Sequence, residues 1–344
     1  MQKINPSLVK SAKKNMQKFE IKSQEQFVER IKQVSQPNVS LVNELAELLE
    51  ISPDSAYRRI RCEKSFAYEE IIRICDYYKI SFDAFCSGNS EMVNFNYAAI
   101  SNNKNSFINY YKGMCDELKN IATSKEKEII YIAEDIPLFH LFNYPDLASF
   151  KIFYWLKSVI NIPEYEQLKY NEKVVDPKIF DLGNEMIELY KTIPSIEIWS
   201  DRTIISMIKQ IEYYYEIGLF KSREEAIHLC NVLSDAMHDI QTQAERTSKM
   251  TVAGYENTYR MYNSDIETGN NCIIVKAGGI RAVHLRFHTF NSMVTYDNHF
   301  FNMTEKWVSG LIKKSNLISG VAEKQRLQFF QKIQKNIMQL KERI

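Results

Sequence analysis

The feature that most constrains this chain is the run from Ser40 to Arg61, where two helix patterns are separated by almost nothing. Leu41, Leu45, Leu48 and Leu49 share one face of a helix that starts after Ser40, a residue type suited to cap a helix start. Ser52-Pro53-Asp54 then supplies three start signals in succession: a cap, a proline with the right fixed φ, and an acid in the first turn. So short a turn forces the two helices into contact, and Ala46 is small enough to let them approach. Ala56 and Ile60, four apart, are predicted to face inward, which leaves Asp54, Tyr57, Arg58 and Arg61 pointing outward.

Those outward residues carry chemistry suited to a DNA duplex. Arginine can bridge guanine O6 and N7 in the major groove, and a carboxylate can accept from cytosine N4. The segment 57–64 has a local charge of +3, with Lys64 placed for a phosphate and the helix start at Ser40 offering N–H groups to another. Residues 24–90 as a whole carry −3, whereas the arm 1–23 holds six Lys against Glu20 alone. A grip on DNA is therefore expected from a local cluster together with the arm.

Residues 24–86 resemble the lambda-repressor-like (Xre-type) DNA-binding domains. The residues that carry the likeness are Leu45-Ala46, Ile51-Ser52, Ala56-Tyr57-Arg58, Ile71–Cys75 and Ile80–Phe85, about a fifth of the chain lying in the matched region. The resemblance implies a helix-turn-helix head of four to five helices whose helix 53–61 enters the major groove of double-stranded DNA. It also implies a homodimer reading two half-sites. The residues expected at DNA are Ser40, Ser52, Pro53, Asp54, Tyr57, Arg58, Arg61 and Lys64. Three positions depart from the family: Glu50 and Cys62 stand where glycine is common, and Arg59 where an apolar residue is usual. The last predicts a slight rotation of the helix that gives Ile60 the buried role.

Beyond the head, 344 residues with 45% apolar and 25% charged side chains suit two or three packed domains. Ten Gly and eight Pro are too few for a turn-dense all-β fold. Residues 87–105, rich in Ser, Asn and Gly, read as a linker. In 106–320 helix and strand patterns alternate. Phe107, Tyr111, Met114, Leu118 and Ile121 mark a helix, Ile129–Ile132 and Ile196–Trp199 mark strands, and Ser222 with Glu225 marks a capping box. Gly278-Gly279 between two apolar runs predicts a tight hairpin. The fold class expected is multidomain, an all-α head plus a mostly helical α/β regulatory and dimerisation body with a small mixed sheet. In the tail 321–344, Phe330, Ile333, Ile337, Leu340 and Ile344 form the apolar seam of an amphipathic helix, expected to dock on the body or to pair with a second copy.

There is no glycine-rich phosphate loop, no HExxH and no zinc-spaced Cys/His set, so no catalytic residue, metal or cofactor is expected. His284, Arg286 and His288 alternate along a predicted strand and are the candidates for an anionic effector. The order of elements in 125–316 resembles the phospholipase-D-like domains attached to some bacterial regulators. Those use a His, a Lys two residues on and a later Asp; here Arg286 follows His284 and no Asp stands at the required distance, so that resemblance implies the fold without hydrolysis. Six cysteines without a CxxC pair, no membrane-length apolar run and no signal-peptide pattern at Met1–Pro6 lead to a cytoplasmic expectation without membrane contact. The function expected is a sequence-specific, dimeric DNA-binding transcriptional regulator that senses a small-molecule or protein effector. The alternatives are a helix-turn-helix module that binds protein and an enzyme activity in the body.

Overall fold

The computed structural model describes residues 23–32, 34–35, 40–78, 80, 93–171, 173 and 175–344. The basic arm up to 22, the Ser81–Phe85 end of the head pattern and residues 87–92 of the expected linker lie outside them. The chain divides into two compact units, one ending at Asn94 and the other running from Phe95 to Ile344. Among the described residues no helix is long and apolar enough to cross a membrane.

The first unit contains helix α1 (residues 23–32), α2 (Leu41–Leu49), α3 (Pro53–Ile60) and α4 (Tyr68–Tyr78). Its core joins Phe27 and Ile31 of α1 to Leu45 and Leu49 of α2, Ala56 of α3 and Ile74 of α4. Ser52 caps α3 as expected, its Oγ accepting from the Ser55 N–H at 3.2 Å. Ser40 stands at the start of α2, but its side chain makes no capping bond. The turn between the helices is closed by Glu50 at φ 56°, and the loop after α3 by Cys62 at φ 58°. Both non-glycine departures thus keep the left-handed backbone that glycine adopts easily, at roughly 1–2 kcal/mol each.

Arg59 corrects the expected rotation of α3. It is buried, whereas Ile60 is only half-buried. Its guanidinium forms a two-pronged bond to Glu70 of α4, Nε to Oε2 at 2.9 Å and Nη2 to Oε1 at 2.7 Å. Nη1 turns back to the Ser55 hydroxyl at 2.6 Å. The Arg59 stem packs while its head is held by the ion pair and the Ser55 bond.

The second unit is built on an eight-stranded mixed sheet, larger than expected, in the order β1-β7-β6-β5-β2-β3-β4-β8. The strands are β1 (Asn96–Tyr97), β2 (Lys127–Ala133), β3 (Ser195–Trp199), β4 (Tyr259–Asn263), β5 (Cys272–Ala277), β6 (Ile280–Phe287), β7 (Asn291–Thr295) and β8 (Asn316–Leu317). The adjacent strands β2, β3 and β4 run parallel, and every other pairing is antiparallel. The β5–β6 hairpin turns on Gly278 at φ 55° and Gly279 at φ 90°, the pair of positive angles that a two-residue turn needs.

Alternate residues of β2 serve two different cores. Ile130 and Ile132 pack with Ile196, Ile198 and Ile274 beneath a helix at Asn298–Lys314, whose Phe301, Val308 and Leu311 face them. Ile129, Tyr131 and Ala133 face the larger layer on the other side. That layer holds α5 (Lys104–Thr123), α6 (Leu138–Leu141), α7 (Pro145–Tyr154), α8 (Pro177–Thr192), α9 (Ile205–Glu216) and α10 (Arg223–Arg246). The Asn298–Lys314 helix is α11, and α12 (Glu323–Arg343) returns to the larger layer. The seam Phe330, Ile333, Ile337, Leu340 and Ile344 is buried there.

Two local expectations change. The reciprocal capping box at Ser222 does not form; Glu225 instead accepts from the Lys221 N–H at 2.8 Å, and Ser222 makes no side-chain cap. Asn96 and Tyr97, within the expected linker, pair with Val294 and Met293 of β7, so this stretch is part of the body.

Gly183 of α8 faces Phe142, and a Cβ placed there would lie 2.0 Å from its ring. Gly183→Ala is expected to lose about 1–2 kcal/mol net, because overpacking outweighs the gain in helix propensity. Gly113→Ala on α5, with nothing within 4 Å of the new methyl, should instead gain stability. Urea midpoints of the two variants test the pair.

Candidate nucleic-acid interface and effector cavity

On α3 the buried residues Ala56 and Arg59 are three apart and define the inner side. Asp54, Tyr57, Arg58 and Arg61 occupy the opposite side, and all four are exposed. Ser40, Ser52, Pro53 and Lys64 are exposed as well. The loop after α3 is tied down by Gln24, whose Nε2 donates to the carbonyls of Arg59 at 2.9 Å and Lys64 at 2.8 Å.

The local +3 of residues 57–64 is smaller in effect than the sequence count suggests. Arg59 is neutralised inside the unit by Glu70, whose carboxyl stays below its ordinary range; burial opposes this, but the hydrogen bonds from Arg59 and the Ala67 N–H, with the Arg59 and Lys64 charges, together outweigh it. Arg61 approaches Glu63 at 3.2 Å, with both side chains largely exposed, and its guanidinium lies 5.6 Å over the Tyr57 ring. An exposed pair of this kind contributes at most about 1 kcal/mol, so Arg61 can exchange Glu63 for another anion at little cost.

In the second unit, His284 and Arg286 of β6 come together at a cavity of about 100 Å³. They share a face of the strand as alternation predicts, but that face looks into the larger layer and not to solvent. His288 does not join them: β6 ends at Phe287, and His288 takes φ 44° and stacks on the Phe287 ring. The strand period no longer applies once the backbone turns left-handed.

Sequence reasoning missed the groups that complete this cavity. Lys151 of α7 is buried and donates to Asp135 Oδ2 at 2.7 Å and Gln210 Oε1 at 3.0 Å. Arg286 Nη2 donates to the same Asp135 oxygen at 3.3 Å. Burial pushes Lys151 down from the usual lysine range, and the Asp135 carboxylate only partly restores it. Asn271 holds the carboxylate-bearing turn, its Oδ1 accepting from the Glu134 N–H at 2.6 Å and the Asp135 N–H at 3.2 Å. His284 sits 3.1 Å from Glu117, at ion-pair distance but without hydrogen-bond alignment. Burial disfavours the imidazolium, yet Glu117 outweighs it and holds His284 above its ordinary range. The signal for Lys151 was present in the sequence as one lysine inside the apolar run Leu147–Trp155.

Behind this cavity lies a separate polar hub on Glu197 of β3, which has no exposed surface. Its Oε1 is bonded to His140 Nε2 at 2.8 Å and Tyr190 Oη at 2.6 Å, and its Oε2 to Trp199 Nε1 at 2.8 Å and Tyr259 Oη at 3.1 Å. Lys249 donates to the Tyr190 and Ile193 carbonyls and the Ser195 hydroxyl at 2.7–2.8 Å. Burial pushes Lys249 down to about 7, opposed by Glu197. Three acceptors nonetheless match the three N–H bonds of the ammonium form, which is the state this geometry favours. The hub ties α6, α8, β3 and β4 together through these bonds.

Among the described residues no group of three or more His, Cys, Asp or Glu side chains is placed to hold a metal ion. Comparison of the chain with protein-family models, with curated proteins and with solved structures finds no match.

Proposed function

We propose that this chain is a sequence-specific DNA-binding transcriptional regulator, with a helix-turn-helix first unit and a second unit that senses an effector and dimerises. The observation that supports it best is the two-sided character of α3. The helix is capped by Ser52, packs inward through Ala56 and Arg59, and exposes Asp54, Tyr57, Arg58 and Arg61 together. In this reading α3 lies in the major groove, Arg58 and Arg61 read base edges, and Lys64 and the α2 start at Ser40 meet phosphates. A dimer follows because one small head makes few base contacts, and two heads about one DNA turn apart multiply specificity.

The test is the set of genomic fragments retained by the purified full chain, followed by titration of a retained duplex across salt. Binding should weaken steeply as salt rises, because cation release drives it. Arg58→Ala is expected to cost about 1–3 kcal/mol on the retained sequence and to relax the preference at one base pair, leaving random duplex nearly unaffected. Equal losses on both would make Arg58 a phosphate contact. Indifference to every duplex at low ionic strength would end the reading.

The second reading, a module that grips protein, is favoured by the charge of residues 24–90 and by the internal pairing of Arg59 and Arg61. It predicts a partner retained with a flat response to salt.

A further inference from the structure

The cavity beside β6 has a charge pattern and a lining that specify a ligand class. Lys151 and Arg286 share a single carboxylate, Asp135, on one oxygen. His284 is matched separately by Glu117. With both cations charged, the site is short of one anion, and a buried charge without a partner is costly. Arg286 spends Nε on the Thr289 carbonyl and one Nη2 proton on Asp135, which leaves its Nη1 donors for an acceptor.

A second, independent observation is Trp155, which also lines the cavity. Its side chain is buried, and its Nε1 has no acceptor among the described residues. Indole nitrogen can only donate, so what it lacks is an acceptor. It sits at the start of a π-helical turn, Trp155–Val159, a local widening of the helix that recurs at functional sites. The ring stacks on Phe290 at 4.9 Å, and Tyr110, Tyr131 and Phe139 add aromatic surface. The volume, about 100 Å³, is of the order of the ~150 Å³ cavity known to hold benzene.

We infer that this cavity binds a small monocarboxylate with an apolar or aromatic body, its carboxylate at Arg286 and Lys151 and its body against Trp155 and Phe290. A carboxylate is acceptor-only, so it fits both the missing anion and the unpartnered donors. A polyanion would bring more charge than the site lacks, and a neutral molecule would leave the excess cation in place. This deepens the effector half of the proposed function: that occupancy alters DNA binding rests on that reading, whereas the binding itself does not.

The experiment titrates the full-length chain with benzoate and isovalerate, against benzyl alcohol as the neutral aromatic and inorganic phosphate as the anion without an apolar body. Calorimetry measures binding and tryptophan fluorescence reports the site. Benzoate or isovalerate should saturate, with benzyl alcohol and phosphate weaker by roughly tenfold or more, the loss expected for a charge-assisted hydrogen bond. Arg286→Met should weaken the carboxylate to a similar degree. Trp155→Phe should abolish the fluorescence change and also weaken calorimetric binding, because it removes the Nε1 donor while keeping an aromatic ring. Absence of saturation by both acids overturns the inference, as does equal binding of benzoate and benzyl alcohol, preference for phosphate, or unchanged affinity in Arg286→Met. Should that variant unfold, the comparison of benzoate with benzyl alcohol on the unsubstituted chain decides alone. A chain that binds benzoate but no duplex keeps this assignment and loses only the regulator reading.

Discussion

Glu197→Ala should destabilise the second unit by about 4 kcal/mol or more, and the loss should spread across elements far apart in sequence. The carboxylate is the common acceptor of His140, Tyr190, Trp199 and Tyr259, all of them buried. Truncation removes four hydrogen bonds at once and leaves four donors, together with the Lys249 ammonium, without a counter-charge. In a unit of this size such a loss lowers the thermal midpoint by roughly 10 °C. Glu197→Gln keeps the volume and one acceptor but places an NH2 group against donors, so it should fall between alanine and the native chain. A midpoint for Glu197→Ala within a degree or two of the native one would show that the hub contributes little.

The same hub sets an acid limit. Glu197 is held at about 2: burial alone would raise it, but His140 and the hydroxyl donors outweigh that and stabilise the anion. A carboxyl depressed in the folded state contributes stability that is fully present above its unfolded value, near 4.5. That contribution is lost as pH falls toward 2, because the unfolded chain takes up the proton first. The difference corresponds to about 3 kcal/mol. Urea unfolding of the native chain should therefore weaken between these two values, and Glu197→Gln should flatten the slope. An unchanged slope would place the acid sensitivity elsewhere.

Arg59→Met should be the most damaging single change in the first unit, at about 3–5 kcal/mol, because it leaves Glu70 without its partner. The side chains are 6% and 16% exposed, so water does little to replace the guanidinium. Glu70 also accepts from the Ala67 N–H at 2.8 Å, which fixes the start of α4, so the damage extends to that helix. Replacing both partners, as Arg59→Met with Glu70→Leu, should recover much of the loss, since no buried charge then remains. Hydrogen exchange across α3 and α4 of the full chain reads the effect directly. The neighbour Arg58 makes the contrast: it is exposed, and its replacement should leave exchange unchanged. Equal protection in Arg59→Met and the native chain would refute the role assigned to the ion pair.

Much of the architecture was legible because it is periodic. The helix at Lys104–Thr123, the strands β2 and β3 and the apolar seam of α12 each repeat at a spacing that backbone geometry imposes, and the Gly278-Gly279 hairpin was legible because glycine readily takes the two positive φ angles of its turn. The two-residue strands β1 and β8 have no period to read, and Asn96–Tyr97 resembles a linker in composition alone. At the candidate site, alternation placed His284 and Arg286 on one face, and it failed at His288 because the strand had ended.

The chain's own order of residues determined where α3 begins, through Ser52, Pro53 and Asp54, and which residues lie on its outward side, because caps and helical spacing are local properties. It could not determine that Arg59 is buried or that Lys151, Asp135 and Arg286 meet, nor that four donors converge on Glu197. Arg59 and Glu70 lie 11 positions apart and Asp135 and Arg286 lie 151 apart, and His140 and Tyr259 reach Glu197 from 57 and 62 positions away. A charged side chain in an apolar run announces that it needs a partner; only the packing of distant elements decides which one it finds, and whether it becomes a strut or a binding group.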